Sequence, residues 1–113
     1  MTDELTIIAL DALENLKAQS ITQLDVTGLS DVMDRLIIAS GTSNRHVKSL
    51  ADNVIEQAKA AGHQTIGVEG TEAADWVLVD FGDTVIHIML PDTRALYDLE
   101  SLWSAIASPD QIK

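Results

Sequence analysis

The tripeptide Gly41-Thr42-Ser43 directly follows the apolar run Leu36-Ile37-Ile38-Ala39 and precedes a helical pattern. That order points backbone N–H groups at a helix terminus, where they can hold an anion or phosphate. A glycine-serine turn of this kind also opens the active site of nucleotidyltransferases, which need paired carboxylates on a neighbouring strand to hold a divalent metal. Here the nearest acids are Asp80 and Asp83, at i and i+3 across a turn, and strand geometry does not make them converge on one ion. Metal-dependent nucleotidyl transfer or nucleotide binding is therefore the alternative reading, and a helix cap at Ser43 the plainer one. The three histidines, His46, His63 and His87, match no metal motif, and no G-x-S-x-G nucleophile elbow occurs. No catalytic constellation, metal set or cofactor site is expected, so the chain reads as a binding protein and not an enzyme.

The stretch Glu69 to Trp103 holds every aromatic residue: Trp76, Phe81, Tyr97 and Trp103. Trp76 follows the acidic loop Glu69 to Asp75 and begins a strand, which puts its ring at a sheet margin. Tyr97 falls one residue off the stripe Leu96, Leu99, Trp103 and is flanked by Asp98 and Glu100. Exposed aromatics ringed by carboxylates suit a basic partner surface. Rings that merely cap the core would give the same sequence, and both readings stay open.

Composition narrows the partner. The 113 residues carry a formal charge of −11, and between Lys59 and Arg94 there is no lysine or arginine while Glu69, Glu72, Asp75, Asp80, Asp83 and Asp92 fall in the interval. Nucleic acid bound mainly through its phosphates is disfavoured. The acidity serves solubility alone, or it steers a basic protein. No cysteine is present, which removes disulfides and zinc-thiolate sites. The N-terminus is acidic where a leader would be basic, and no apolar run reaches membrane-spanning length, so a soluble cytoplasmic protein is expected. One domain over 1–107 and a flexible tail over 108–113 are expected.

The elements that must position these residues follow from periodicity. Leu5, Ile8, Ala9, Ala12, Leu13 and Leu16 form a helical stripe, with Asp3 and Glu4 at its positive end. Ile21 to Val26 reads as a strand closed by Thr27-Gly28 and the polar turn Ser30-Asp31. Leu36 to Ala39 reads as a strand buried on both faces. Ser43 caps a helix with the stripe Val47, Leu50, Ala51, Val54, Ile55, Ala58 and Ala61, ended by Gly62. A brief strand covers Ile66 to Glu69. Gly82-Asp83 then joins the runs 76–81 and 84–90 in a hairpin that pairs Phe81 with Thr84, Val79 with Ile86, Val77 with Ile88 and Trp76 with Met89. One hairpin face is wholly apolar. The other carries Trp76, Leu78, Asp80, Val85, His87 and Met89, which makes it a partner surface or the seat of another helix. Pro91-Asp92 opens a final helix with Leu96, Leu99, Trp103 and Ile106 at helical spacing. The order predicts an α/β fold, a mixed sheet of about five strands flanked by helices.

Taken together, SGTSNRHV at 40–47, VEG at 68–70, ADWVLVDFGDTVIHIM at 74–89 and RALYDLESLW at 94–103 resemble the ribosomal silencing factor RsfS, or Iojap-like, family, over residues from about Leu5 to Ser104. The resemblance implies a nucleotidyltransferase-like topology without transferase activity. It also implies docking on ribosomal protein number fourteen of the large subunit, at the intersubunit face, so that subunit joining is blocked and translation repressed when nutrients are short. Organellar relatives are linked to assembly of the large subunit. The partner-contacting aromatics implied are Trp76 in the DWVLVD motif and Tyr97 in R-x-x-Y-D-L-E. Glu69 and Asp75 join them on charge and position, and His87 and Met89 as members of the mixed face. Arg35 departs from the family pattern, which bears on packing at the start of the second strand. A homodimer using the mixed face or the first helix is a third reading.

Overall fold

Among residues 4–26 and 34–101, which the computed structural model describes, eight elements form in the order α1 (Glu4–Asn15), β1 (Gln19–Asp25), β2 (Arg35–Ser40), α2 (Asn44–Ala60), β3 (Gly67–Glu69), β4 (Trp76–Asp80), β5 (Thr84–Met89) and α3 (Pro91–Tyr97). The strands make one sheet in the order β1-β2-β5-β4-β3. Only β2 and β5 run parallel; the other neighbours are antiparallel. The expected mixed α/β sheet of five strands is the architecture found.

β-Branched and apolar residues throughout β2 suit a central strand, and Leu36 to Ser40 are all buried. The pleat sends Ile37 and Ala39 into the core under α1 and α2, and Leu36 and Ile38 to the opposite face with Met89. On α2 the side chain of Ser43 accepts from the His46 backbone N–H at 3.1 Å, and Gly62 beyond the helix end adopts a φ of +92°. Val47, Leu50, Ala51, Val54 and Ala58 of its stripe are buried, whereas Ala61 ends exposed. Truncating Leu50 to alanine would cost about 2–5 kcal/mol.

The hairpin takes the expected register: Trp76 pairs with Met89, Val77 with Ile88 and Val79 with Ile86, and Phe81 N–H donates to the Thr84 carbonyl at 2.9 Å. Gly82 alone in the turn has a positive φ, +92°, the pattern of a hairpin turn with glycine at its first central position. Asp80 closes that turn by accepting from Gly82 N–H at 2.7 Å.

Two helices depart from the periodicity reading. α1 stops at Asn15, Lys17 takes a φ of +61°, and Leu16 is left 39% exposed outside the stripe, while Thr6 is buried within it. α3 has only seven residues, because Asp98 adopts the left-handed conformation (φ 46°, ψ 51°), so the stripe through Leu96 is broken and Leu96 is 78% exposed. Ile66 precedes β3 and is 72% exposed. Asp3, the turns at Thr27-Gly28 and Ser30-Asp31, Trp103, Ile106 and the tail 108–113 lie outside the described residues. No helix among the described residues is long and apolar enough to cross a membrane.

Candidate functional site

Trp76 enters β4 from a loop shaped for it. Gly70 has a φ of +86° and lies so close to the Trp76 carbonyl that a Cβ there would collide with it. Ala74, buried and also left-handed (φ 55°), donates its N–H to the Gly70 carbonyl at 2.9 Å, and the Asp75 carbonyl accepts from Leu90 N–H at 2.9 Å. The strand that follows presents the indole on the face of the sheet away from α1 and α2.

There the indole is half-buried, packed against the cluster of Leu36, Ile38 and Met89, as Leu99 also is. Its Nε1–H donates to His87 Nδ1 at 2.9 Å, the ring centroids standing 5.8 Å apart. Burial lowers the His87 pKa from the ordinary 6.5 to about 4, so the ring is neutral near pH 7, with Nδ1 as acceptor and the proton on Nε2. On its other side the indole meets Tyr97 of α3, with centroids 4.7 Å apart and planes inclined at 47°. Tyr97 is 55% exposed. Asp75 and Asp98, next in the chain to Trp76 and Tyr97, are exposed, as is Glu69, which pairs with Leu78 on the adjacent strand. The structure thus brings Trp76 and Tyr97 together, and leaves the neighbouring carboxylates Glu69, Asp75 and Asp98 exposed.

Two expected contact residues are corrected. Met89 is wholly buried beneath Trp76 and presents no surface to a partner. His87 is only 9% exposed and spends its Nδ1 on the indole, so it holds Trp76 in orientation instead of meeting another molecule itself. Pleat alternation puts both on the mixed face, as expected; the cover above that face decided their accessibility.

Arg94 is the residue that motif reading passed over. It is 8% exposed and reaches from α3 across the sheet. Nε and Nη2 donate to the Glu100 carboxylate at 2.7 and 2.9 Å, Nη1 to Ser40 Oγ at 2.9 Å and Nη2 to Thr22 Oγ1 at 3.0 Å. That hydrogen bonding holds the Glu100 carboxyl below its usual range, against partial burial. The sequence signals were its place, with Glu100, in the R-x-x-Y-D-L-E motif and its position as the first lysine or arginine after Lys59. In an uninterrupted helix Glu100, six residues on, would lie about 240° around the axis from Arg94. The left-handed turn at Asp98 brings it back.

The components of the nucleotidyl-transfer alternative are not assembled. Gly41 follows β2 at the Trp76 and Met89 end of the sheet, whereas Asp80 pairs with Val85 at the other end, four strand residues or about 13 Å away. Gly41 has a packing reason, since a Cβ there would meet Val47 Cγ2 at 2.8 Å. His46 ties this turn down: Nδ1 accepts from Thr42 N–H at 2.8 Å, and Nε2–H donates to the Leu16 carbonyl at 2.7 Å. Among the described residues no cluster of three or more His, Cys, Asp or Glu could hold a metal ion. What the structure presents at Trp76 and Tyr97 is a part-exposed aromatic pair, with the indole fastened to His87.

The model of the family described as "Ribosomal silencing factor during starvation", RsfS, matches residues 1–113. The chain is 47% identical over 100 residues to the ribosomal silencing factor RsfS of Chromobacterium violaceum, covering 88% of this chain and 82% of that protein. It matches a crystal structure of a protein from the same organism with a TM-score of 0.88 at 46% identity, covering 89% of this chain and 84% of the other. It is also 40% identical over 82 residues to the mouse protein named mitochondrial assembly of ribosomal large subunit protein 1, which spans 70% of this chain and 36% of that longer protein.

Proposed function

This chain belongs to the RsfS family of ribosomal silencing factors, and from that premise we propose that it docks on the large ribosomal subunit through the Trp76 and Tyr97 surface. The partner is a basic ribosomal protein at the intersubunit face, number fourteen of the large subunit. Seated there, the domain excludes the small subunit by its bulk and represses translation when nutrients are limiting, without making or breaking a bond.

The observation that carries this reading is the half-buried indole, fastened through its N–H to His87 and in tilted contact with an exposed tyrosine, with Glu69, Asp75 and Asp98 exposed nearby in the chain or on the adjacent strand. An aromatic already held in one orientation loses little freedom on binding, which is how interface hot spots concentrate energy. A net charge of −11 favours encounter with a basic protein over bare RNA. The name of the mouse relative, with its large-subunit assembly role, supports the choice of subunit.

The test is binding to isolated large subunits, paired with a subunit-joining assay on the same material. Trp76→Ala is expected to weaken binding by at least about 2 kcal/mol and to restore joining, with the fold retained. If native and variant protein bind alike, or if the native protein leaves joining untouched, the reading is lost.

A further inference from the structure

The geometry points to Arg94 as the positioning residue that makes the Tyr97 half of this surface competent. This inference rests on the docking reading above and adds to it the device that builds the site.

α3 is short, and its exposed residues include Pro91, Asp92, Ala95, Leu96 and Tyr97. Arg94 is its one buried side chain, so apolar packing from the helix itself contributes little to holding it on the sheet. The guanidinium instead joins three elements. It takes hydroxyl acceptors from Thr22 on β1 and Ser40 on β2, and a bidentate carboxylate from Glu100, beyond the left-handed residue Asp98. Bidentate pairing fixes direction as well as distance, which an ammonium on a flexible stem would not do. Asp98 N–H also donates to the Arg94 carbonyl at 2.9 Å, so the reversal that ends the helix is tied to the residue the guanidinium belongs to. Tyr97 stands between Arg94 and that reversal. Its stacking distance of 4.7 Å from Trp76 follows from where Arg94 seats the helix. Tyr97 is itself 55% exposed, so little of its own burial holds it there.

Arg94 therefore acts on the partner only through Tyr97. The decisive measurement is a double-mutant cycle on large-subunit affinity with Arg94→Gln and Tyr97→Ala, each variant checked by thermal unfolding. Each single change is expected to weaken binding about tenfold, and the double variant also about tenfold instead of the hundredfold of independent effects. Arg94→Lys, which keeps the charge but not the fork, is expected to recover less than half of the lost affinity on a logarithmic scale. Glu100→Gln, at a partly exposed position, serves if Arg94→Gln does not fold: it too is expected to weaken binding, and not to add to Tyr97→Ala. Additive losses in either cycle, full recovery with lysine, or native affinity in Arg94→Gln or Glu100→Gln would overturn the positioning role. Should Tyr97→Ala and Trp76→Ala both bind as the native protein does, the docking reading itself has failed, a result distinct from any of these.

Discussion

The indole N–H of Trp76 donates to Nδ1 of His87 across the β4–β5 pair at 2.9 Å. The two residues are not directly opposed: Trp76 faces Met89 and His87 faces Leu78, so the bond runs on a diagonal of the ladder. Because Nδ1 must accept, the imidazole has to be neutral, and burial holds its pKa at about 4 against the ordinary 6.5. The same interaction orients the aromatic residue through which we propose docking, and couples its orientation to pH.

Stability should depend on His87 protonation in one window. The unfolded chain binds a proton at this residue near pH 6.5 and the folded chain only near 4, so the unfolded state binds more protons in between. The contribution is fully present above pH 6.5, declines as pH falls toward 4, and is then exhausted, a loss of about 3 kcal/mol. Urea unfolding from pH 8 to 3.5, native against His87→Gln, measures it. A native slope unchanged by the substitution would assign the effect elsewhere.

Trp76→Phe keeps a large ring but leaves the buried Nδ1 of His87 without its donor. A loss of about 1–3 kcal/mol in stability is expected, read from denaturant midpoints. His87 should also titrate at a changed pH in the variant, visible in its ring proton resonances.

Gly70→Ala places a methyl against the Trp76 carbonyl at a backbone conformation that favours glycine. The variant should lose more than about 1 kcal/mol of stability, and should weaken docking as well by shifting the start of β4. A variant with native melting temperature and affinity would show that the loop does not position the tryptophan.

Ser43→Ala tests the helix cap without touching the aromatic pair. Removing the oxygen that accepts from His46 N–H should cost about 1 kcal/mol and leave large-subunit affinity unchanged. Weaker docking without loss of stability would reveal a contact role for the Gly41-Thr42-Ser43 turn.

Neutralising the rim with Glu69→Gln and Asp75→Asn should slow association with large subunits and flatten its salt dependence, while dissociation changes little. Surface plasmon resonance over a range of ionic strength separates the two rates. Equal salt slopes for native and variant would remove charge steering from the account.

Much of the fold was legible locally. Leu36 to Ala39 carries its own evidence of a strand buried on both faces, and Ser43 with Gly62 marks the ends of α2, because caps and runs act over a few residues. The Gly82-Asp83 turn sets the hairpin register, and with it the membership of each face, since a two-residue loop leaves one pairing. From that register follow Trp76, Leu78, Asp80, Val85, His87 and Met89 as one side of the sheet.

What lay beyond the sequence is the cover over that side. Met89 and His87 alternate with the same period as Trp76, and only the tertiary packing on that face decides that they are buried while Trp76 remains half open: Met89 clusters with Leu36 and Ile38, and Trp76 and Leu99 pack against that cluster. On the same side, Arg94 meets Thr22, Ser40 and Glu100, residues 72, 54 and 6 positions away. Periodicity reports a residue's neighbours along its own element. A left-handed turn at Asp98 and a guanidinium reaching across three elements depend on contacts that exist only once the chain has folded.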